Sequence, residues 1–235
     1  MKRFWENAVA VPRPEGGHAV LLDGRPLRLP GGAPLVTASA PLAEAIAAEW
    51  QEAGGAKGGE MSMEAVPLTR LLGTAQDRVA PDPEAMVTGL AKYGETDLLC
   101  YRAEDPDLAE LQAREWQAVL DWAESAYGAR MTVTAGLMPV VQPEPSLAAL
   151  RAAVAAHRAE ELAALGVAVP GLGSLVLGLA LSAGRLDAAE AHRLAVLDET
   201  YQERRWGEDP EAVARRTRVA ADVTIAARFL TLLRA

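Results

Sequence analysis

Residues 18–30 read HAVLLDGRPLRLP, and this stretch decides the fold class of the first part of the chain. HAVLL is an apolar run typical of a strand, and the following Asp23-Gly24 pair strongly favours a two-residue β-hairpin turn. The alternation Leu27-Arg28-Leu29 predicts a returning strand with one buried face. AVAV at 8–11 and PLVT at 34–37 continue the pattern on either side. The sequence therefore predicts an antiparallel sheet near the N-terminus.

A helix is predicted directly after this sheet. Ser39 is a candidate N-cap, and Pro41 suits the first turn, where a missing N–H is tolerated. An apolar row with the four-residue spacing of one helix face then follows: Leu42, Ile46 and Trp50. The pair Gly54-Gly55 is expected to end the helix, and residues 54–59 form a glycine-rich loop.

From about residue 80 onward the pattern becomes helical. Three helix starts share an aspartate that can cap the helix and a proline at its first position: Asp82-Pro83, Asp105-Pro106 and Asp209-Pro210. We therefore predict an α+β fold. Its N-terminal α/β-mixed domain with antiparallel strands spans 1–95, and a C-terminal all-α orthogonal helical bundle spans 96–235.

Residues 162–184 form an uncharged stretch of 23 residues, slightly more than the roughly 20 that a membrane-spanning helix needs. Pro170 and five glycines interrupt this stretch, and its compact apolar part covers only 174–183. That length favours a buried core helix, so no membrane insertion is expected.

The chain is acidic, with 32 Asp and Glu against 23 Lys and Arg and a net charge of −9 over 235 residues. A nucleic-acid binder would need a basic face, so no nucleic-acid partner is expected. The acidic residues concentrate in two bands, 95–124 and 187–211. The last segment, 212–235, is basic instead, with five arginines against Asp222.

Motifs for common cofactors are missing from the sequence. None of its three lysines stands in the Gly-Lys-Ser/Thr context of a phosphate-binding loop. GVAVPGLGSLVLG at 166–178 contains two of the glycines of a dinucleotide fingerprint, but Val176 occupies the third glycine position and Pro170 interrupts the strand. We therefore expect no cofactor.

The N-terminus, MKRFWENAVAV, contains no apolar run of signal-peptide length and no long basic transit segment. The single cysteine, Cys100, cannot form an internal disulfide, which fits a reducing compartment. Both features predict a cytoplasmic protein.

An enzymatic alternative has two sources in the sequence. A small cytoplasmic hydrolase or transferase would use Cys100 as nucleophile, or one of three carboxylate pairs: Glu104-Asp105, Asp198-Glu199 and Glu208-Asp209. The neighbours of Cys100 are acidic and would raise the pKa of its thiol, and adjacent acids on helices usually form a solvated face. The three histidines lack the spacing of metal ligands, so no metal site is expected.

One helical face combines acids with a large aromatic residue. In DETYQERRWGED at 198–209, Glu199, Gln202, Glu203 and Trp206 follow helical spacing and share one side. Such a strip would suit a partner that carries arginine. Alternatively, Trp206 packs under the next helix at the Gly207 turn. The residues alone leave both interpretations open.

Six segments resemble, in order, the family of ATP-synthase F1 assembly chaperones that handle the alpha subunit. They are RFWENAVAV, LDGRPLRLP, PLTRLLGTAQDRV, YGETDLLCYRA, GSLVLGLAL and LDETYQERRWGED. YGETDLLCYRA and the Tyr-Gln-x3-Trp-Gly-Glu run are the most specific, and the resemblance covers about residues 2–233. Gly73 departs from the family, which more often has asparagine there.

The resemblance implies a non-enzymatic chaperone that acts without ATP. It would bind the unassembled alpha subunit of F1-ATPase, as a monomer, and shield the surface that the beta subunit later covers. Mitochondrial relatives, located in the matrix, carry a transit peptide, and its absence here fits a bacterial member. The family motif falls on Glu199, Tyr201, Gln202, Trp206, Gly207 and Glu208. The predicted partner-binding residues are Glu199, Gln202, Glu203, Trp206 and Glu208.

Overall fold

The structure is a computed structural model that describes residues 1–136 and 138–235. It divides into two compact units. Unit 1 contains Met1–Pro83 together with Arg228–Ala235, and unit 2 contains Glu84–Ala227. The sequence predicts a boundary between two folding domains at 95/96. The division into compact units does not test whether these parts fold independently, so this boundary stays a prediction.

Unit 1 contains a small antiparallel sheet in which the central strand pairs on both edges. Strands β1 (Ala8–Pro12) and β2 (His18–Leu22) pair along their full length, with Ala8 opposite Leu22. On the other edge of β2 lie the two-residue strands β3 (Arg25–Pro26) and β4 (Val36–Thr37). The hairpin turn has positive φ at both central positions, 47° at Asp23 and 77° at Gly24, which explains why this pair occurs there.

The returning strand is shorter than the alternation of residues 27–29 predicts. Strand β3 ends at Pro26. Leu29 then bonds through its N–H to the carbonyl of Ala33 at 2.8 Å, so the chain turns back on itself before a longer strand can form. The predicted alternation of burial is nevertheless present, since Leu29 is buried and Arg28 is exposed.

Two helices complete the core of unit 1. Helix α1 (Ala40–Glu52) is capped by Ser39, whose side chain accepts from the Leu42 N–H at 3.0 Å. Helix α2 (Pro67–Thr74) runs on into a wide turn at Ala75–Val79. The indole of Trp5 lies 4.9 Å from that of Trp50 and donates to the Trp50 carbonyl at 2.9 Å.

Unit 2 is mostly helical. Its helices are α3 (Pro83–Ala91, of which Pro83 belongs to unit 1), α4 (Pro106–Tyr127), α5 (Glu144–Ala155), α6 (Ala159–Leu172), α7 (Leu175–Ser182), α8 (Ala188–Ala195) and α9 (Leu197–Trp206). The last helix, α10 (Pro210–Arg234), belongs to unit 2 up to Ala227 and to unit 1 from Arg228. The three predicted Asp-Pro starts all begin a helix. Together with the N-terminal sheet, this confirms the predicted α+β class.

Unit 2 also contains a short strand pair that the sequence analysis did not predict. Strand β5 (Tyr101–Arg102) pairs in parallel with β6 (Thr134–Ala135). Each strand has only two residues, which is too short for a period-two pattern to be recognised in the sequence.

Helix α7 is the core of unit 2, and all eight of its residues are buried. Gly173, with φ of 64°, ends α6 and lets the chain reverse into α7. A Cβ on Gly178 would lie 2.4 Å from Val169 Cγ2, so glycine is required where these two helices meet. The short buried helix predicted within 174–183 is confirmed. In the described part of the chain, no helix has the length and apolar character of a membrane span.

A buried carboxyl group fixes the start of α7. Asp97 accepts from the Ser174 hydroxyl at 2.7 Å, the Leu99 N–H at 3.1 Å and the Val176 N–H at 3.0 Å. Ser174 in turn caps α7 by accepting from the Leu177 N–H at 3.0 Å. Burial raises the pKa of Asp97 to about 6, because these bonds only partly replace the lost water.

Candidate partner-binding surface

The predicted residues lie on or beside helix α9, whose last residue is followed by Gly207 with φ of 92°. Acidic residues occupy the first turn and arginines the last, an arrangement that the helix dipole favours. We call the predicted set the α9 surface: Glu199, Gln202, Glu203, Trp206 and Glu208. Gln202, Trp206 and Glu208 are exposed, whereas Glu199 and Glu203 are only partly exposed.

Trp206 is the most exposed aromatic residue among the large hydrophobic side chains, with 75% of its surface accessible. It stands at the C-terminal end of α9, and the positive φ of Gly207 ends the helix directly after it. Of the two interpretations left open by the sequence, packing under the next helix is therefore not what the structure contains.

The two glutamates of the surface are paired within the chain. Glu203 accepts from Arg216 Nη2 at 2.7 Å, and its other oxygen lies 2.5 Å from Nη1. Glu199 lies 2.8 Å from Arg215 and 3.4 Å from Arg216. The Arg216 and Glu203 side chains are only 13% and 15% exposed, and the bond to Glu203 raises the pKa of Arg216. The acidic strip is thus largely neutralised by α10.

A second side of α9 is tied to the start of α4. Asp105, the N-cap of α4, forms an ion pair with Arg205 and accepts from the Tyr201 hydroxyl at 3.3 Å. The Arg205 guanidinium lies 5.5 Å from the centre of the Tyr201 ring. The N–H bond from Leu108 is the largest factor that lowers the pKa of Asp105, so this acid stays ionised. These contacts fix α9 from the side opposite Arg216.

A third side of α9 borders a cavity of about 400 Å³. Asp198 accepts from Gln112 Nε2 at 2.7 Å, and the side-chain oxygen of Gln112, Oε1, accepts from the Ala103 N–H at 2.7 Å. Burial raises the pKa of Asp198. The buried Arg102 donates to the Leu99 carbonyl at 2.6 Å, while its Nη2 has no hydrogen-bond partner in the described part of the chain.

The alternative chemistry at Cys100 finds little support in its surroundings. The thiol is completely buried, and burial together with the nearby Asp97 raises its pKa to about 12. A catalytic thiol needs the opposite shift and an accessible sulfur. Across residues 1–136 and 138–235, no three His, Cys, Asp or Glu side chains are grouped as metal ligands.

Sequence reasoning found the helix and its face but missed the arginine that pairs with it. The charge map did contain a signal, because the acidic band at 187–211 is followed at once by the basic segment 212–235. Opposite charges on consecutive helices favour pairing across the turn that joins them. Which of the five arginines reaches Glu203 depends on the rotation of α10, and spacing alone does not fix that rotation.

Residues 2–124 match the family described as the ATP12 chaperone protein, so the chain belongs to this chaperone family. The crystal structure of Atp12 from Paracoccus denitrificans is 43% identical, with a TM-score of 0.92, over 99% of this chain and 98% of that one. A mutant of the same Paracoccus protein matches at 42% identity and the same TM-score and coverage.

Two further relatives extend the comparison. The Atu1473 protein of Agrobacterium tumefaciens is 37% identical, with a TM-score of 0.89, over 99% of this chain and 85% of that one. The mitochondrial protein atp12 of Schizosaccharomyces pombe is 26% identical over 218 residues, which are 88% of this chain and 74% of that protein. The resemblance stated from the six quoted segments is therefore confirmed.

Proposed function

We propose that this chain is an ATP-independent assembly chaperone that binds the unassembled alpha subunit of F1-ATPase through the α9 surface. It would act as a monomer in the cytoplasm. It would dissociate from the alpha subunit when the beta subunit binds the surface that the chaperone had covered. Membership of the ATP12 chaperone family supports this role. The lack of a phosphate-binding lysine motif supports its independence of ATP.

The observation that carries the proposal is the exposed indole of Trp206 on a helix that is held from two sides. Exposure of the large apolar surface of a tryptophan to water is unfavourable, and tryptophan is enriched among the residues that dominate binding energy. Because Arg216 and Asp105 already fix α9, little conformational entropy is lost when a partner covers the indole.

The α9 surface consists of five residues with one exposed aromatic side chain, which suits a chaperone that must later dissociate from its client. An unassembled subunit exposes an apolar interface that would otherwise aggregate. A chaperone that covers part of it through one aromatic anchor and a polar rim would bind with moderate affinity. The final partner, with a larger and better packed interface, would displace it without the hydrolysis of a nucleotide. The net charge of −9 would limit self-association by mutual repulsion.

The proposal assigns no catalytic role to the chain. The enzymatic alternative would need the buried Cys100, or a carboxyl with a raised pKa such as Asp198. The Asp198 carboxylate already accepts from Gln112, which links α9 to α4, so we assign Asp198 a positioning role.

Replacement of Trp206 by alanine tests the proposal directly. We expect the affinity for purified alpha subunit, measured by isothermal titration calorimetry, to fall about thirty-fold, which corresponds to about 2 kcal/mol. Trp206→Phe should recover most of the affinity. The thermal unfolding temperature should not change, because the side chain is mostly exposed.

Val141→Ala is the matched control, since Val141 is also an exposed apolar residue of unit 2 but lies on the connector before α5. It should leave the affinity unchanged. Equal binding by wild type and Trp206→Ala would remove α9 from the proposal, and failure of the wild type to bind alpha subunit would refute the proposed client.

A further inference from the structure

Unit 1 contains a second surface, a groove of about 950 Å³ that is formed entirely by residues before 79. Its floor is made of buried side chains of the sheet, the following turn and α1: Leu22, Leu29, Leu35 and Trp50. A volume of this size accommodates several side chains of a bound segment. We call this surface the unit-1 groove.

Exposed apolar side chains line the groove. Met1, Phe4 and Met63 are three of the eight large hydrophobic residues that are exposed in the described part of the chain, and all three line this cavity. The Phe4 ring packs edge-on against Trp5 with centroids 5.1 Å apart, so it is held in place although much of it faces solvent. Exposed apolar residues gathered at one cavity are typical of a binding site.

The same groove carries a cluster of positive charge in an acidic protein. Asp77 is the one carboxylate among the residues that line the groove. Four exposed arginines line it as well: Arg25, Arg28, Arg70 and Arg78. Within residues 1–136 and 138–235, none of the four forms an ion pair, and Arg28 donates only to the Gly32 carbonyl, at 2.6 Å. By contrast, the arginines beside the α9 surface are paired with acids.

Gly73 keeps one wall of the groove open. It lies on α2, and a Cβ at this position would be 3.2 Å from Leu29 Cδ2. The absence of a side chain leaves the floor accessible next to Arg70. A larger residue would narrow the cavity at this point.

We propose that the unit-1 groove binds an acidic amphipathic segment of the client, whose apolar side chains enter the groove and whose Asp and Glu residues pair with the four arginines. The inference rests on the proposed chaperone function, because it takes the occupant to be part of the protein that the chaperone holds. Charge complementarity selects this occupant. A basic segment would be repelled, and an uncharged one would leave the arginines unused.

The probe is a synthetic fluorescein-labelled peptide with a Leu-Phe-Leu-Leu centre flanked by Asp and Glu. Its partner peptide has lysine in place of every acid. Fluorescence anisotropy with the full-length protein should show binding of the acidic peptide only.

Two variants and a charge-matched control separate the effect of charge from the effect of shape. Arg70→Glu/Arg78→Glu should weaken binding of the acidic peptide about tenfold, because two attractive charges become repulsive. Arg185→Glu/Arg218→Glu changes the net charge equally at two exposed arginines of unit 2 that do not line the groove, and it should leave the affinity within a factor of two. Phe4→Ser, which alters no charge, should weaken binding about fivefold.

Several results would overturn the inference. Equal binding of the acidic and lysine peptides would do so, as would equal losses in the two double variants. Concentration-dependent dimers of the wild type that dissociate in Arg70→Glu/Arg78→Glu would identify a second copy of the chain as the occupant instead.

The peptide assay and the alpha-subunit assay fail independently. If alpha-subunit binding depends on Trp206 but the peptide does not bind, the groove inference is wrong and the proposed function stands. If the peptide binds in the groove but alpha subunit does not bind at all, the proposed client is wrong and the groove still recognises acidic amphipathic segments.

Discussion

The α9 surface and the unit-1 groove both expose apolar side chains to solvent, but they differ in how they treat charge. On α9, the glutamates are paired with Arg215 and Arg216, and one indole stands free at the helix end. In the groove, four arginines form no ion pair with any residue that the structure describes, and they surround several apolar side chains. The α9 surface is therefore a rigid aromatic anchor, whereas the unit-1 groove is a cleft with positive charges available to an acidic partner.

This difference indicates what each surface contributes to binding. Paired charges hold a helix in place and add little attraction for a partner, so affinity at α9 depends on the area of Trp206. Unpaired charges attract and orient a partner before contact, so the groove is expected to govern association rate and selectivity.

The largest expected effect concerns Asp97, which supports the unit that carries α9. Because its pKa in the folded state is about 6, above the usual 3.8, the native state binds the proton more tightly than the unfolded state. The stability contributed by this group is therefore complete below pH 4 and is lost as the pH rises through 6, by about 3 kcal/mol.

Urea unfolding between pH 4 and 7.5, compared with Asp97→Asn, measures this effect. The difference in unfolding free energy, wild type minus variant, should decrease across the window and level off above it. Carboxylates with lowered pKa, such as Asp105 and Glu115, act in the opposite direction but cancel in the comparison. A constant difference would show that folding does not raise the pKa of Asp97.

The next effect would break the rigidity of the α9 surface. Arg216→Ala leaves Glu203 nearly buried without its partner, so we expect a loss of about 2 kcal/mol in unfolding free energy. Affinity for alpha subunit should also fall, although Arg216 itself is mostly covered.

Arg215→Ala is the matched control for this change. Its side chain is 58% exposed and, among the described residues, forms an ion pair only with Glu199, so the loss should stay below about 0.5 kcal/mol. Similar losses of unfolding free energy in both variants would mean that the burial of the Arg216–Glu203 pair does not increase its contribution to stability.

The smallest effect sharpens the contrast in charge. Between 50 and 300 mM NaCl, affinity of the acidic peptide for the groove should fall about fivefold, because exposed unpaired charges are screened. The ratio of wild-type to Trp206→Ala affinity for alpha subunit should stay constant over the same range. A ratio that changes with salt would mean that the contribution of Trp206 to the affinity is partly electrostatic.

Much of the fold follows from short-range signals. The Asp23-Gly24 turn, the Ser39 cap and the Asp-Pro starts are local, since each depends on the dihedral angles or hydrogen bonds of a few neighbouring residues. The helical spacing that placed Glu199 and Trp206 on α9 is local as well.

What the sequence could not supply depends on contacts between distant residues. The β5–β6 pair joins residues more than thirty positions apart, roughly three times the length of an average helix. Exposure of Trp206 depends on where the chain goes after Gly207. The groove brings Phe4, Arg25 and Arg70 together from three separate segments, and no spacing pattern marks such a set.

Helix α10 has a consequence for the order in which the protein can fold during synthesis. Its Phe229 and Leu230 are buried, and the segment that contains them belongs to unit 1 together with residues 1–83. Ser39, the cap of α1, also donates to the carbonyl of Leu232 at 2.5 Å. The first unit to leave the ribosome is therefore the last to complete its core, and it must wait, with apolar surface uncovered, until all of unit 2 has been translated.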